Sequence, residues 1–202
     1  MFNLSANTEV NRALPKKAIF TKFGLKTAQR DLFDKDISRL VISHEITSRT
    51  VPALASGEIS AIFVVSVLLK RKDYDHHNIE LLTKLIPQKM VMALLLEGQV
   101  QFAVFHERLF FSSWQPASEA ALPLNGLSLD AAWQNLVTTI GGISIQEGNS
   151  LAEQILADEQ RKNLLKQISA LEAKMRTTKQ PRRKLELHQQ IRELKSNLCQ
   201  EN

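Results

Sequence analysis

Five basic side chains near the C-terminus form the densest group of residues that could do chemistry in this sequence. The string LEAKMRTTKQPRRKLELHQQIREL contains all of them, grouped around Pro181. They are Arg176, Lys179, Arg182, Arg183 and Lys184. Cations at this density bind phosphate oxygens, with an affinity that depends on salt and little on base sequence. The group therefore predicts contact with duplex DNA or structured RNA. Two alternatives stay open: docking to an acidic protein, and a solvated tip that keeps the segment soluble.

Charge and aromatic residues are distributed very differently along the chain. From Ser150 onward there are 11 Lys and Arg against 7 Asp and Glu, whereas the preceding 149 residues hold 15 against 14. The 9 Phe, 2 Trp and 1 Tyr all lie between Phe2 and Trp133. The basic excess favours an anionic partner, nucleic acid first. The absence of rings after Trp133 argues against base stacking by this part of the chain.

Residues for enzymatic chemistry are much weaker candidates. Metal-dependent nucleases need two acidic groups and a lysine close together on adjoining strands, and Asp36, Glu45 and Glu58 could supply carboxylates. However, Lys70 lies a whole predicted strand away from Glu58. The sequence therefore predicts no catalytic residue, and a divergent nuclease around Glu58 is the less favoured alternative.

No metal or cofactor site is predicted. His76 and His77 are adjacent, so on a helix their side chains point about 100° apart and cannot hold one ion. His44 and His106 have no second ligand at a suitable spacing, and no phosphate-cradling or dinucleotide fingerprint is present. One cysteine, Cys199, suits a reducing cytoplasm, the expected location. No apolar run reaches the roughly 18 residues of a membrane span, so no membrane partner is expected.

Two helices must position the basic group. Ser150 and Glu153 form a capping box, which predicts the start of the first helix. Apolar residues then repeat at spacings of four, three and four on both sides of the bend. They are Leu164, Ile168, Leu171 and Met175 before it, and Leu187, Ile191, Leu194 and Leu198 after it. Such stripes predict an antiparallel, coiled-coil-like hairpin closed along this seam. Leu151, Ile155, Leu165 and Leu185 lie partly off the seam, so a second apolar face could dock the domain, pair with another copy of the chain or bind a larger subunit.

The rest of the chain predicts an α+β domain over residues 1–148, with the arm over 149–202. Five segments show strand patterns: RLVISHEI, EISAIFVVSVLL, KMVMALLL, VQFAVFHE and LFFSSW. A helix between the second and third implies a right-handed crossover and hence a parallel pair. Glu97-Gly98-Gln99 indicates a tight hairpin turn. We therefore expect a mixed sheet of about five strands with flanking helices.

The arm sequence LEAKMRTTKQPRRKLELHQQIRELKSNL resembles the C-terminal signature of a bacterial family of unknown function, number 4391 among such families. LPKK, EISAIFVVSVLL, IPQKMVMALLL and Trp114 extend the likeness over nearly the whole chain. The sequence departs from the family pattern at Pro181 and Arg182, where members more often have an aromatic and a polar residue. The resemblance implies a gene neighbourhood with helicases and DNA methyltransferases of restriction-like, phage-defence systems.

These observations together favour a non-catalytic accessory subunit of a bacterial DNA-modification or phage-defence assembly. Its arm is expected to engage a helicase or DNA methyltransferase subunit, nucleic acid, or both. The alternative is a nucleic-acid-binding protein that acts alone and without sequence preference.

Overall fold

The computed structural model describes residues 1–146 and 148–200, with side chains as far as Ser196. The chain divides into two compact units, Met1–Ser144 and Ile145–Asn202. This division by contacts falls slightly before the boundary at 148 that the sequence suggests. That residues 1–148 and 149–202 are separate domains in their own right stays a prediction.

The first unit is built on a mixed sheet of seven strands in the order β1-β2-β3-β4-β5-β6, with β7 pairing with β5. Strands β3 and β4 run parallel and the other pairs are antiparallel. The strands are β1 (Glu9–Ala13), β2 (Ile37–Ile46), β3 (Ile62–Leu69), β4 (Lys89–Leu96), β5 (Gln99–His106), β6 (Arg108–Phe111) and β7 (Gln115–Pro116). The α+β class and the mixed sheet are confirmed.

The prediction of about five strands is too low. Strand β1 reads EVNRA and all its residues are exposed, so it has no alternation of apolar and polar residues to mark it. It is held at the sheet edge by backbone pairing with β2. Strand β7 is two residues long, too short for any periodic signal.

Four helices belong to the first unit. They are α1 (Lys16–Lys22), α2 (Thr27–Asp36), α3 (His76–Thr83) and α4 (Leu129–Gly141). The side chain of Asp75 accepts a hydrogen bond from the His77 N–H at the start of α3, and Ser128 accepts one from the Ala131 N–H at the start of α4. Each side chain satisfies an N–H that the helix itself leaves unpaired.

The β3-α3-β4 segment forms the centre of the core. Val65, Val67 and Leu69 alternate along β3 and pack in one buried cluster with Ile79 and Leu82 of α3. Burying each such side chain contributes about 1.5–3 kcal/mol relative to exposure. Because both faces of β3 and β4 are largely covered, these strands read as continuous apolar runs rather than alternating ones.

The β4–β5 hairpin turns through Glu97 and Gly98, between the paired residues Leu96 and Gln99. Both turn residues have positive φ, +47° and +78°. This is the backbone conformation of the two-residue turns that match the twist of antiparallel strands. The hairpin is where the sequence predicts it.

The second unit contains two long helices, α5 (Leu151–Thr177) and α6 (Pro181–Gln200), joined by only three residues. They pack against each other, and so short a connection makes them run antiparallel. At the start of α5, Ser150 accepts a hydrogen bond from the Glu153 N–H while Glu153 accepts one from the Ser150 N–H, as the capping box predicts. Over the residues that the structure describes, no helix combines the length and hydropathy needed to cross a membrane.

Candidate nucleic-acid interface

The bend between α5 and α6 is shaped by local hydrogen bonds. The carbonyl of Lys174, in the last turn of α5, accepts from the Thr178 N–H at 3.1 Å and from the hydroxyls of Thr177 and Thr178 at 3.0 and 2.8 Å. Helix α6 then begins at Pro181, whose missing N–H costs nothing in a first turn. The threonines thus end one helix and the proline allows the next to start at once.

All five predicted phosphate-binding residues of this bend are exposed. The side chain of Arg182 is 96% accessible and that of Arg183 is 61% accessible. We refer to Arg176, Lys179, Arg182, Arg183 and Lys184 as the basic bend. The structure therefore brings together, within one turn of each helix and their connection, the residues that the sequence singles out. Their role in binding stays a prediction.

One carboxylate neutralises part of the basic bend. Glu186 lies 3.0 Å from the Arg183 Nη1 and 3.9 Å from the Arg182 Nε. Within the described part of the chain, no carboxylate lies within ion-pair distance of Lys179 or Lys184. These two lysines are the bend cations most available to an external anion.

The position of the cations on α6 also favours an anionic ligand. Arg182 and Arg183 stand in the first turn of α6, which contains no acidic residue. The N-terminal end of a helix carries a partial positive charge, so each cation there is disfavoured by about 0.3–1 kcal/mol. A phosphate bound there would carry the charge that this end of a helix favours.

An ion pair connects the two helices away from the bend. Lys195 Nζ of α6 donates to Glu172 of α5 at 2.8 Å. This hydrogen bond and the charge of Lys195 lower the pKa of Glu172, with a smaller contribution from Arg176. Glu172, the one carboxylate in the basic stretch from Arg161 to Lys184, is therefore engaged with α6.

The predicted seam residues lie on the less accessible sides of the two helices. Ile168, Leu187 and Ile191 are buried, whereas Leu165 and Leu185 are exposed. Four further seam residues are half-buried: Leu164, Leu171, Met175 and Leu194. The side chain of Leu198 lies outside the described residues, as does that of Cys199.

Asp36, one of the three carboxylates considered for a nuclease, is fully buried and satisfied. It accepts hydrogen bonds from Arg71 at 2.5 Å, from the Asp75 N–H at 2.9 Å and from Asn78 Nδ2 at 2.8 Å. Burial alone would raise the pKa of Asp36, but these donors and the Arg71 charge outweigh it and lower the pKa. Asp36 thus fixes the loop after β3. Both of its carboxylate oxygens accept hydrogen bonds from the protein, so neither is available to bind a metal ion.

The other nuclease candidates lie at the opposite end of β3. Asp36 precedes Ile37, which pairs with Leu69 at the end of β3, whereas Glu45 pairs with Phe63 near its start. The eight residues of β3 separate these ends by about 23 Å. Glu58 is exposed and lines a cavity of about 240 Å³ with Lys89. The structure therefore does not bring Asp36 and Glu58 together, nor Lys70 close to Glu58.

The histidines considered as metal ligands have other contacts. His44 is buried and its Nδ1 lies 2.9 Å from the Thr8 hydroxyl, and His106 Nδ1 accepts from the Trp133 indole N–H at 3.4 Å. Burial lowers the pKa of both imidazoles. Among the residues that the structure describes, no group of three His, Cys, Asp or Glu could hold a metal ion.

A second cluster with binding potential was missed by sequence reasoning. Lys72 and His76 follow β3 in the run RKDYDHH, and they contact Trp114 and Phe111, which lie some forty residues later. Only the density of charged and ring side chains in RKDYDHH could have signalled it. Nothing in the sequence shows that the end of β6 and the segment after it bring Phe111 and Trp114 to the loop after β3.

The fold and the basic bend together define an α+β protein that carries a cationic helical pair. The chain belongs to the family described as Domain of unknown function (DUF4391), whose family model matches residues 2–198. No curated protein and no solved structure matches the chain. The gene neighbourhood that the resemblance implies remains an expectation.

Proposed function

We propose that this protein is a non-catalytic accessory subunit of a bacterial DNA-modification or phage-defence assembly. In this proposal the basic bend binds the phosphate backbone of duplex DNA or structured RNA, and α5 and α6 also provide a surface for a helicase or DNA methyltransferase subunit. The observation that carries the proposal is the exposure of the five bend cations, two of which have no carboxylate partner in the described part of the chain.

Three further points support this function. The basic excess falls in the part of the chain that contains α5 and α6. The first turn of α6 carries cations and no acidic residue, so that turn favours an anionic ligand. The chain belongs to the family, and the resemblance to its members implies neighbouring helicase and methyltransferase genes. Such neighbours suggest the class of assembly.

Copurification tests whether the chain binds a helicase or DNA methyltransferase subunit. The chain is tagged and expressed from its own gene neighbourhood, and we expect a helicase or methyltransferase subunit to be recovered with it in a fixed ratio. A seam variant such as Ile168→Ala is expected to reduce the recovery, whereas Ser169→Ala, at an exposed polar position on the same helix, serves as its control. A chain recovered alone, at all salt concentrations, would contradict the accessory role.

A stand-alone nucleic-acid-binding protein is the second candidate, and the exposure of Lys179 and Lys184 favours it equally. The two functions differ in what copurification recovers. Nucleic-acid binding that is retained by the isolated chain, with no protein partner recovered, would favour the second candidate.

A further inference from the structure

The first unit has an aromatic surface at the carboxyl end of β3. It consists of Lys72 and Tyr74 in the loop after β3, His76 at the start of α3, Phe111 at the end of β6, and Trp114. The Lys72 Nζ lies 5.9 Å from the centre of the Trp114 ring. The His76 ring lies 4.6 Å from that of Phe111 and 5.3 Å from that of Tyr74, centre to centre. We call these five residues the ring surface.

The positions of these rings are fixed by hydrogen bonds beneath them. The Tyr74 hydroxyl donates to Gln101 Oε1 at 2.8 Å, and Gln101 Nε2 donates to the carbonyl of Ser112 at 2.8 Å. The Ser112 hydroxyl accepts from the Phe102 N–H at 2.9 Å, which ties the chain between Phe111 and Trp114 to β5. Burial raises the pKa of Tyr74 to about 12, so this hydroxyl remains a donor at physiological pH.

The loop that carries Lys72 is held from the other side by Asp36. Asp36 accepts from Arg71 and from the N–H of Asp75, the residues flanking the segment from Lys72 to Tyr74. A ligand would therefore meet rings that are already in place, and binding would cost little ordering.

Four of the five residues of the ring surface are accessible. His76 and Lys72 are exposed, and Phe111 and Trp114 are half-buried where they pack against the core that contains the buried Tyr74. The second tryptophan of the chain, Trp133, is only 2% exposed. The accessible parts of the Trp114 and His76 rings, beside a lysine, offer faces on which a flat, polarisable ligand can stack.

The charges around the ring surface are nearly balanced. Lys70 and Lys72 are exposed, as are Asp73 and Asp75, and Arg71 is neutralised by Asp36. The Asp75 carboxylate is engaged at the start of α3. A ligand held by charge alone, such as an acidic peptide, would gain little here. Stacking on the rings must supply most of the affinity.

We propose that the ring surface binds single-stranded nucleic acid, with unpaired bases stacking on Trp114 and His76 and the adjoining phosphate contacting Lys72. Base–aromatic stacking is tolerant of sequence because every base has a flat face. The rings are accessible to a base only when it is not paired within a duplex. This site is distinct in residues from the basic bend, and the proposal does not depend on the function proposed for the bend.

Salt dependence separates this site from the basic bend. Lys72 is the one lysine of the ring surface and neutralises about one phosphate, so the logarithm of single-strand affinity should fall with the logarithm of salt at a slope of about −0.7. Removing one stacking partner by Trp114→Ala should weaken binding by about ten- to a hundredfold. The conservative change Trp114→Phe should retain most of the affinity.

The fluorescence of Trp114 tests the proposal in the full chain. In a Trp133→Phe background, titration with oligothymidylate should quench the single remaining tryptophan, and the same oligonucleotide paired with its complement should not. If Trp133→Phe impairs folding, the unmodified chain is compared with Trp114→Phe, which should lose the quenching. A chain with all five bend cations changed to glutamine should quench as before.

Three results would overturn the proposal. Quenching that persists in Trp114→Phe would come from elsewhere in the chain. Equal quenching by the duplex would remove the requirement for unpaired bases. Equal quenching by polyglutamate would identify a surface for acidic protein segments instead. A failed ring surface would leave the proposed role of the basic bend intact, because that role is read from duplex affinity.

Discussion

The two units of this protein are stabilised by different means and offer a ligand different chemistry. The first unit contains all the aromatic residues, a largely buried sheet and 15 basic against 13 acidic residues, whereas the second has no aromatic residue and holds 11 basic against 8 acidic residues in less than half the length. The first can therefore stack on flat ligands with little help from charge. The second can bind phosphate with no contribution from stacking. In the functions proposed for the two units, one small chain binds unpaired bases and duplex backbone through separate residues.

The same difference gives each unit its own optical signal. Both tryptophans lie in the first unit, so intrinsic fluorescence reports on that unit. The second unit is helical through nearly all its described residues, so far-ultraviolet circular dichroism reports strongly on it. Each prediction below can thus be assigned to one unit.

The largest expected effect is the loss of the Asp36 carboxylate. Asp36→Asn should destabilise the first unit by about 3–5 kcal/mol, because both buried carboxylate oxygens accept hydrogen bonds and the amide replaces one of them with an NH2 group that faces donors. Denaturant unfolding followed by tryptophan fluorescence measures the change. Asp34→Asn on the same helix is the matched control. Asp34 pairs with Lys16 but is 49% exposed, so its loss should change stability by less than about 1 kcal/mol.

If Asp36→Asn unfolds at the same denaturant concentration as Asp34→Asn, the Asp36 network is not what holds the loop after β3. The rigidity assigned to the ring surface would then lose its basis.

The second prediction concerns the seam of the helical pair. Ile168→Ala should destabilise the second unit by about 2–5 kcal/mol, because Ile168 is buried and its removal leaves a cavity. Helix content as a function of temperature measures the change. Leu185→Ala is the control, since Leu185 is 61% exposed. Equal melting of the two variants would mean that the predicted seam does not close the hairpin.

Acid should weaken the first unit more than the second. Burial lowers the pKa of His44 and of His106 below the ordinary value of about 6.5, so the unfolded chain binds protons more readily than the folded one. The stability that depends on keeping His44 and His106 neutral is fully present above pH 6.5. It is lost as the pH falls through the lowered pKa values of these two histidines in the folded state. Fluorescence-detected melting between pH 7.5 and 5, chosen to span that window, measures the loss.

Substituting single histidines tests which of them cause this pH dependence of stability. His44→Gln should flatten the pH dependence of the first unit, whereas His188→Gln, at an exposed position on α6, should leave it unchanged. A pH dependence that survives His44→Gln and His106→Gln together would assign the acid sensitivity to other groups.

The smallest expected effect lies at the basic bend. Glu186 neutralises Arg183 and partly Arg182, so Glu186→Gln should strengthen duplex binding, by about two- to fivefold, the scale of an exposed ion pair. Glu193→Gln, further along α6, is the control that removes the same charge away from the bend. Equal gains in the two variants would indicate a general effect of net charge.

Sequence reasoning identified the parts of the fold that carry strong local signals. Strands β2 to β6 are apolar runs bounded by turn residues, and the capping box at Ser150 and the turn at Gly98 follow from local backbone chemistry. Strand β1 was missed because an exposed edge strand has no apolar pattern, and its position depends on pairing with β2.

The two candidate sites also differ in whether their residues are close together in the sequence. The basic bend is contiguous in sequence and could be found from composition and spacing alone. The ring surface joins Lys72 to Trp114 across the fold, and Asp36 is satisfied by Arg71 and Asn78, so both depend on contacts that are distant in the chain. Such contacts leave no periodic signal in a single sequence.

Duplex affinity as a function of salt tests the central claim most directly. For the unmodified chain, the logarithm of affinity for a DNA duplex should fall steeply with the logarithm of salt, with a slope of up to about −4.5 if all five bend cations neutralise phosphates. Glutamine at Arg176, Lys179, Arg182, Arg183 and Lys184 should weaken binding and remove most of this slope. Exchanging arginine and lysine at the same five positions should preserve both. An unchanged affinity and slope in the glutamine variant would contradict the assignment of the basic bend as the phosphate-binding site.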